Sequence, residues 1–208
     1  MPARPRRSQE ERSALTRARI LDATLDTLAE RGYAGTTTTA VAERAGVSRG
    51  AQLHHFRTRQ ELLAAAVGHL YARLTETYVK GFARLSPDAD RIHAALELLW
   101  EVYNDPHLVA VVELQVAART DGALLAKLLP VGERHHANVL RLAAEYFPEA
   151  ASAPPRFLAI LDLILDTLGG LRSRALLRPD DPAIPRTLAL LEELAREALA
   201  PDGDAPDA

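Results

Sequence analysis

The chain has 208 residues, of which 48% are hydrophobic and 25% are charged, so it has enough apolar surface to build a buried core. It has no cysteine, which excludes a disulfide framework, a thiolate metal site and a cysteine nucleophile. No uncharged apolar run reaches the roughly 20 residues that a membrane helix needs, and no apolar signal segment follows the basic N-terminus. These features predict a soluble cytoplasmic protein without a membrane partner.

Charge is divided unevenly along the chain. Residues 1–60 hold 11 Lys or Arg against 6 Asp or Glu, a net of +5, whereas the whole chain has a net charge of −3. A small basic segment on an acidic body is typical of a protein whose first part binds a polyanion. An uneven distribution of solvated surface charge would give the same numbers.

Apolar residues recur at helical spacing in nearly every segment, and the alternating pattern of strands is absent, which predicts an all-α protein. We expect a flexible basic tail at 1–12, an N-terminal domain at 13–60, a second helical domain at 61–200 and a disordered tail at 201–208. Glycine, proline and capping residues define the expected helix ends. Helices with both ends predicted run from about 13 to 31, 37 or 38 to 46, 58 to 85, 121 to 146 with a kink or break at Pro130, 154 to 177, and 182 to 200. Three further helices are predicted by their starting positions, at about 48, 87 and 106.

The segment 37–56, TTTAVAERAGVSRGAQLHHF, carries the clearest motif. Two short helices that meet at Gly46 explain its layout, because Val47 would fill the angle between them and Ser48 would cap the second helix. This is the spacing of a helix-turn-helix. An ordinary corner between two helices would produce the same short pattern.

The second helix of this motif exposes side chains that suit the major groove of DNA. Arginine can bond both acceptors of guanine, and glutamine can pair with adenine. Gly50 is a poor helix former, and a close backbone approach to a ligand would justify it. The predicted base-facing residues are Arg49, Gly50, Ala51, Gln52 and His54, and the predicted phosphate-facing residues are Thr38, Thr39, His55 and Arg59.

Residues 17 to about 65, quoted as RARILDATLDTLAERGYAGTTTTAVAERAGVSRGAQLHHFRTRQELL, resemble the N-terminal domain of TetR/AcrR-type transcriptional regulators. The resemblance implies a three-helix helix-turn-helix domain followed by a helical domain for ligand binding and dimerisation. It also implies phosphate contacts from the threonines of the second helix, from the histidine before the phenylalanine and from the basic residue that opens the fourth helix. Base contacts would come from the residues after the serine cap.

Two positions depart from the family pattern. Where the family usually has an apolar residue followed by tyrosine, this chain has Gln52 and Leu53, so the usual tyrosine contact to a phosphate is absent. Leu53 is expected either to touch a thymine methyl or sugar or to pack inside, and Gln52 either to reach a base edge or to pack. Arg57 and Arg59 would supply some of the lost affinity for the DNA backbone.

No catalytic constellation is visible in the sequence. The seven histidines form no H-E-x-x-H motif, and both a Gly-rich phosphate loop and a G-x-S-x-G motif are absent. We therefore predict that the protein is not an enzyme and needs no metal or cofactor. The alternative function is a helical small-molecule-binding or protein-interaction scaffold without DNA binding, and affinity for duplex DNA in moderate salt would distinguish the two.

Polar and aromatic residues embedded in the later apolar helices predict the wall of an effector cavity. An effector that binds more tightly to a conformation in which the two helix-turn-helix motifs are misplaced would release the protein from DNA. Surface or interhelical ion pairs, Glu113 with Arg119 and Asp166 with Arg172, would explain some of the same residues. The predicted effector-binding residues are Trp100, Tyr103, Glu113, Gln115, Arg119 and Asp166.

The helices at about 155–177 and 182–200 carry apolar stripes that are wider than one partner helix requires. In the resembling family, two C-terminal helices meet their copies in a four-helix bundle. We therefore expect a homodimeric repressor that binds a pseudo-palindromic double-stranded operator and is released by a small molecule. The stripes consist of Leu158, Leu161, Leu165 and Leu168, and of Leu188, Leu191, Ala195 and Ala198.

Overall fold

The computed structural model describes residues 9–199, and its regular structure in that range is entirely helical. This confirms the predicted all-α class. No helix among the described residues is long and apolar enough to cross a membrane. The elements are α1 (Gln9–Gly35), α2 (Thr38–Ala45), α3 (Arg49–His55), α4 (Arg59–Phe82), α5 (Arg91–Tyr103), α6 (Leu108–Ala118), α7 (Gly122–Tyr146), a 3-10 turn (Ala150–Ser152), α8 (Pro154–Ala175) and α9 (Ala183–Leu199).

The two predicted tails lie largely outside the described residues. Helix α1 already begins at Gln9, so the last four residues of the tail expected at 1–12 are helical, which corrects that part of the prediction. Glu10 and Glu11 lie in the first turn, where negative charge stabilises the positive end of the helix dipole. Residues 1–8 and 200–208, which include the whole tail expected at 201–208, are not described.

Among the described residues, one compact unit contains 9–72 together with Pro106–Glu133. Its core includes four leucine and isoleucine residues of α1, together with large apolar residues of α4, α6 and α7. Because α6 packs against α1, the unit extends beyond the segment 13–60 expected as the N-terminal domain. Its large, fully buried side chains include Ile20, Leu21, Leu25, Leu28, Leu62, Leu63, Leu70, Leu114 and Leu124.

The helix-turn-helix layout forms from local signals. Thr37 caps α2 by accepting a hydrogen bond from the Ala40 N–H at 3.1 Å. Gly46 ends α2 in the left-handed region at φ 62°, which favours a residue without a side chain. Ser48 then caps α3 by accepting from the Ala51 N–H at 3.1 Å.

Thr58 and Glu61 cap the start of α4. The Thr58 hydroxyl accepts from the Glu61 N–H at 3.1 Å. The Glu61 carboxylate accepts from the N–H of Arg57 at 3.2 Å, so it reaches one residue further back than the cap itself. The helix ends at Phe82, three residues before the expected end.

The second compact unit contains Arg73–Asp105 and residues 134–199. Helix α5 begins at Arg91 and not at Pro87 as expected, because Asp90 supplies the cap by accepting from the His93 N–H at 3.1 Å. Helix α7 continues through Pro130, so of the expected kink or break at this position the break is wrong. Pro130 is exposed, and water can bond the carbonyl that loses its helical partner. The core of this unit includes Leu96, Phe157, Ile160, Leu161, Ile164, Leu168, Leu191, Ala195 and Leu199.

Arg59, predicted to contact phosphate, holds the start of α4 against the loop between α1 and α2. Its Nε donates to the Thr36 carbonyl at 2.7 Å, and one terminal nitrogen donates to the Tyr33 carbonyl. Its guanidinium carbon lies 4.0 Å from the centroid of the Tyr33 ring. The side chain is half-buried, and these contacts occupy much of its donor capacity.

We expect Arg59→Ala to lower the free energy of unfolding by about 1.5–3 kcal/mol, because two carbonyls lose a charged donor. The exposed Arg57, two residues earlier, is the matched control, and Arg57→Ala should change stability by less than about 0.5 kcal/mol. Urea denaturation followed by circular dichroism measures both. Equal stability of the Arg59 variant and the original protein would show that these contacts do not hold the loop.

Candidate nucleic-acid interface

Helix α2 is fixed on α1 by apolar burial and by the charged contacts of Arg44 with Glu30 and, at 3.5 Å between Nε and Oδ2, with Asp26. Val41, Ala42 and Ala45 form its buried face. Arg44 bonds both carboxylate oxygens of Glu30 in a bidentate pair that spans the two helices. This hydrogen bonding holds the pKa of Glu30 below its ordinary value. The pair lies on the surface and fixes orientation more than it adds stability.

Helix α3 presents three of its predicted base-facing residues to solvent. Arg49, Gly50 and His54 are exposed, and Ala51 is half-buried. The Arg49 side chain makes no hydrogen bond or ion pair with another of residues 9–199. A Cβ atom at Gly50 would meet only the Ser48 hydroxyl, at 3.9 Å. Packing within the protein therefore does not require a glycine at this position.

Gln52 is the clear correction among the predicted base-facing residues. Its side chain is 0% exposed, and its Nε2 donates to the Phe56 carbonyl at 3.3 Å. Gln52 lies on the buried side of α3, and Phe56, the C-cap that follows the helix, is buried as well. Its neighbour Leu53 is 41% exposed, so Leu53 is the residue of this pair that faces outward.

The predicted phosphate-facing residues are not equivalent. Thr39 is exposed and Thr38 is half-buried in the first turn of α2. His55 is half-buried, and its pKa is lowered by burial and by the nearby His54 and Arg17. A neutral His55 at neutral pH would act as a hydrogen-bond donor and not as a cation.

Exposed positive charge surrounds α3. From position 48 to position 60 the chain contains three arginines and two histidines and no acidic residue. Arg57 is exposed, and so is Arg17 of α1, a residue that was not among the predicted DNA contacts. The guanidinium carbon of Arg17 lies 5.3 Å from the centroid of the Phe56 ring, next to α3. Its place in an amphipathic helix gave no local signal that it would lie beside α3.

The six predicted effector residues are divided between the two units. Glu113, Gln115 and Arg119 are exposed in the first unit, and the Glu113 carboxylate accepts a hydrogen bond from a backbone N–H of α1. The other three, Trp100, Tyr103 and Asp166, belong to the second unit.

In the second unit, Trp100 and Tyr103 are half-buried and pack against its core, whereas Asp166 is exposed. The Tyr103 ring approaches α8, with its Cε1 3.8 Å from the position of a Cβ on Gly169. One turn further along α8, the Nε of Arg172 is buried and has no hydrogen-bond partner within residues 9–199. No group of three or more possible metal ligands occurs among the described residues.

Comparison with known proteins agrees with this geometry. Residues 20–66 match the model of the family described as bacterial regulatory proteins, tetR family. The chain is 35% identical over 195 residues to the HTH-type transcriptional regulator CymR of Pseudomonas putida, covering 94% of this chain and 96% of CymR.

Solved structures share the fold across both units. A Rhodococcus sp. protein assigned to the TetR family gives a TM-score of 0.68 at 24% identity, covering 90% of this chain and all of that one. The multidrug binding protein EbrR, whose structure was solved with ethidium, gives a TM-score of 0.62 at 24% identity, covering 86% of this chain and 98% of EbrR. The chain belongs to the TetR family of helix-turn-helix transcriptional regulators, which are not enzymes.

Proposed function

We propose that the protein is a homodimeric repressor that binds a pseudo-palindromic duplex through residues 37–58 and leaves it when a small molecule binds. The observation that carries the DNA contact is the exposed start of α3. There, Arg49 has no partner among the described residues and Gly50 is not required by packing. Membership of a family of helix-turn-helix regulators favours this function over a scaffold that does not bind DNA.

The exposed side chains divide the recognition of DNA between bases and backbone. Arg49 is suited to bond the O6 and N7 atoms of one guanine, and Gly50 lets the backbone of α3 approach the base edges. Thr39 of α2 and Arg57 after α3 are suited to phosphates on either side. Gln52 and Arg59 do not belong to this set, because their side chains are engaged inside the protein.

A second copy of the chain is the proposed partner of α8 and α9, although not through the stripes expected from the sequence. Leu161, Leu168, Leu191 and Ala195 are buried in the core of their own unit. Of the eight residues of those stripes, Leu158 alone is exposed. The outer faces of α8 and α9 carry Leu158 together with three exposed leucines outside the stripes, Leu163, Leu190 and Leu194.

The outer face of α8 also allows close helix packing. Gly170 lies seven residues after Leu163, on the same side of the helix, and a Cβ atom there would meet nothing within 4 Å. On α9, Leu190 and Leu194 are four residues apart and form an exposed apolar pair. Together these residues supply a surface suited to a two-fold, isologous helix bundle.

The second unit is the proposed site of the effector. Its half-buried aromatic pair, Trp100 and Tyr103, could contact an apolar ligand. The Nε of Arg172, which has no hydrogen-bond partner among the described residues, belongs to α8 one turn after Gly169, the residue that the Tyr103 ring approaches. The structural neighbour EbrR is a multidrug binding protein that was solved with ethidium. An effector releases DNA only when it binds the non-reading conformation more tightly than the reading one.

For DNA binding, we expect Arg49→Ala to cost about 1–3 kcal/mol on the preferred duplex and to relax the preference at one base pair. Arg57→Ala should weaken binding to all duplexes about equally. It should also reduce by about 1 the magnitude of the slope of the logarithm of the binding constant against the logarithm of the salt concentration. Fluorescence anisotropy at several salt concentrations measures both effects. The control is Arg134→Ala, an exposed arginine of α7 outside the interface, which should bind like the original protein. An unchanged sequence preference in the Arg49 variant would contradict its role in base reading.

For dimerisation, we expect the double variant Leu190→Glu/Leu194→Glu to weaken self-association roughly a thousandfold, because each substitution occurs twice in a two-fold interface. Analytical ultracentrifugation at micromolar concentration should then detect monomers. Leu125 and Leu129 of α7 form a matched exposed pair with the same spacing. Glutamates at Leu125 and Leu129 should leave the dimer intact. A dimer that survives charges at Leu190 and Leu194 would exclude this face of α9.

A further inference from the structure

We infer that Tyr33 links α6 and the start of α7 to the DNA-reading helices, and that Glu113 and Asp121 are positioning residues for DNA binding. This inference rests on the proposed function. Tyr33 lies in the last turn of α1, four residues before Thr37, the cap of α2. It is not one of the proposed DNA contacts. Its backbone and its side chain are both bound by residues more than 20 positions away.

The first contact arises from the interruption of α1. Gly32 has φ 68° and ψ −179°, so the helical ladder is broken just before Tyr33. Glu113 of α6 replaces the lost partner, because its Oε1 accepts a hydrogen bond from the Tyr33 N–H at 2.5 Å. A Cβ atom on residue 32 would lie 2.8 Å from the same oxygen, so the glycine leaves space for this carboxylate. Helix α6 thereby caps the final turn of α1.

The second contact joins the Tyr33 side chain to the start of α7. The Tyr33 hydroxyl donates to Oδ2 of Asp121 at 2.8 Å. The other oxygen of Asp121 accepts from the Leu124 N–H at 2.9 Å and caps α7. Backbone hydrogen bonding at Leu124 and the bond from Tyr33 hold the pKa of Asp121 below its ordinary value. Asp121 therefore stays a carboxylate at neutral pH and can serve both donors.

The third contact leads from Tyr33 to the reading helices. Arg59, at the start of α4, donates to the carbonyls of Tyr33 and Thr36 and lies over the Tyr33 ring. Thr36 is buried, and its hydroxyl donates back to the Gly32 carbonyl at 2.8 Å. The next residue, Thr37, is the cap of α2. A shift of Tyr33 would therefore be passed within four residues to the first turn of α2.

These contacts make a linkage that operates in both directions. If the position of α6 and the start of α7 alters the reading helices, then DNA bound to the reading helices must stabilise α6 and the start of α7 by the same coupling free energy. This reciprocity allows a test that needs no effector. The probe is a duplex selected from genomic fragments by binding to the full-length protein.

Amide hydrogen exchange, measured with and without the duplex, tests the coupling. In the original protein, bound DNA should slow exchange at 37–58 and also at 108–124, the latter by about fivefold or more. The double variant Tyr33→Phe/Glu113→Ala removes the hydroxyl and the carboxylate but keeps the ring beneath Arg59. In this variant, bound DNA should still slow exchange at 37–58. At 108–124 the exchange rates with and without DNA should be nearly equal, with a ratio of about 1.

Gln115→Ala is the matched control, because Gln115 is exposed on the same helix two residues after Glu113. This variant should retain both regions of protection, and the single variant Tyr33→Phe should lose part of the protection at 108–124. Protection at 108–124 that persists in the DNA-bound double variant would overturn the coupling. The coupling would also be overturned if bound DNA protected 37–58 but not 108–124 in the original protein. Failure to protect 37–58 at all would instead remove the proposed DNA-binding function, and the coupling with it.

Discussion

The structure depends above all on one constraint, the shortness of α2 and α3, the two helices that form its helix-turn-helix, here called the reading head. Helix α2 has 8 residues and α3 has 7, whereas isolated helices below about 12–15 residues are only marginally stable in water. Their position therefore depends on tertiary contacts. The buried residues of α1 and α4 supply the apolar surface, Gly46 sets the angle, and Arg44 with Glu30 restrains α2 on α1. A reading head built in this way is as rigid as the elements that support it.

This dependence explains why some polar residues next to the reading surface are structural. Gln52 and Arg59 are chemically suited to bases and phosphates, yet the first is buried in the domain and the second bonds two backbone carbonyls. The residues left free for DNA are those whose removal costs the fold little, such as Arg49 and Arg57. The separation of supporting and reading side chains also lets contacts far from DNA influence the reading head.

The sequence predicts those parts of the fold that depend on near neighbours. The cap at Ser48 and the turn at Gly46 involve residues within four positions and form as expected, and Thr37 caps a helix that was expected to begin at 37 or 38. The inward face of α1 follows from apolar periodicity. The buried orientation of Gln52 could not be obtained in this way, because a glutamine inside a polar segment has no period that marks it as buried.

Contacts between distant segments were beyond local reasoning. Glu113 meets the backbone of Tyr33 across 80 positions, and neither residue type indicates the other as its partner. Apolar periodicity also cannot distinguish a helix face that packs within its own chain from one that meets a second copy. For this reason the stripe containing Leu191 and Ala195, expected at a dimer interface, is part of the core of its own unit. The exposed pair Leu190 and Leu194 was identified only once the burial of α9 was known.

The central claim is that two copies of a supported α3 read two related half-sites. Hydroxyl-radical footprinting on a genomic fragment selected by the protein tests it most directly. Two protected half-sites of inverted sequence, with centres about 10 base pairs apart or a multiple of that distance, are expected for a two-fold dimer with one α3 in each major groove. A single protected half-site, or protection without inverted symmetry, would contradict the claim.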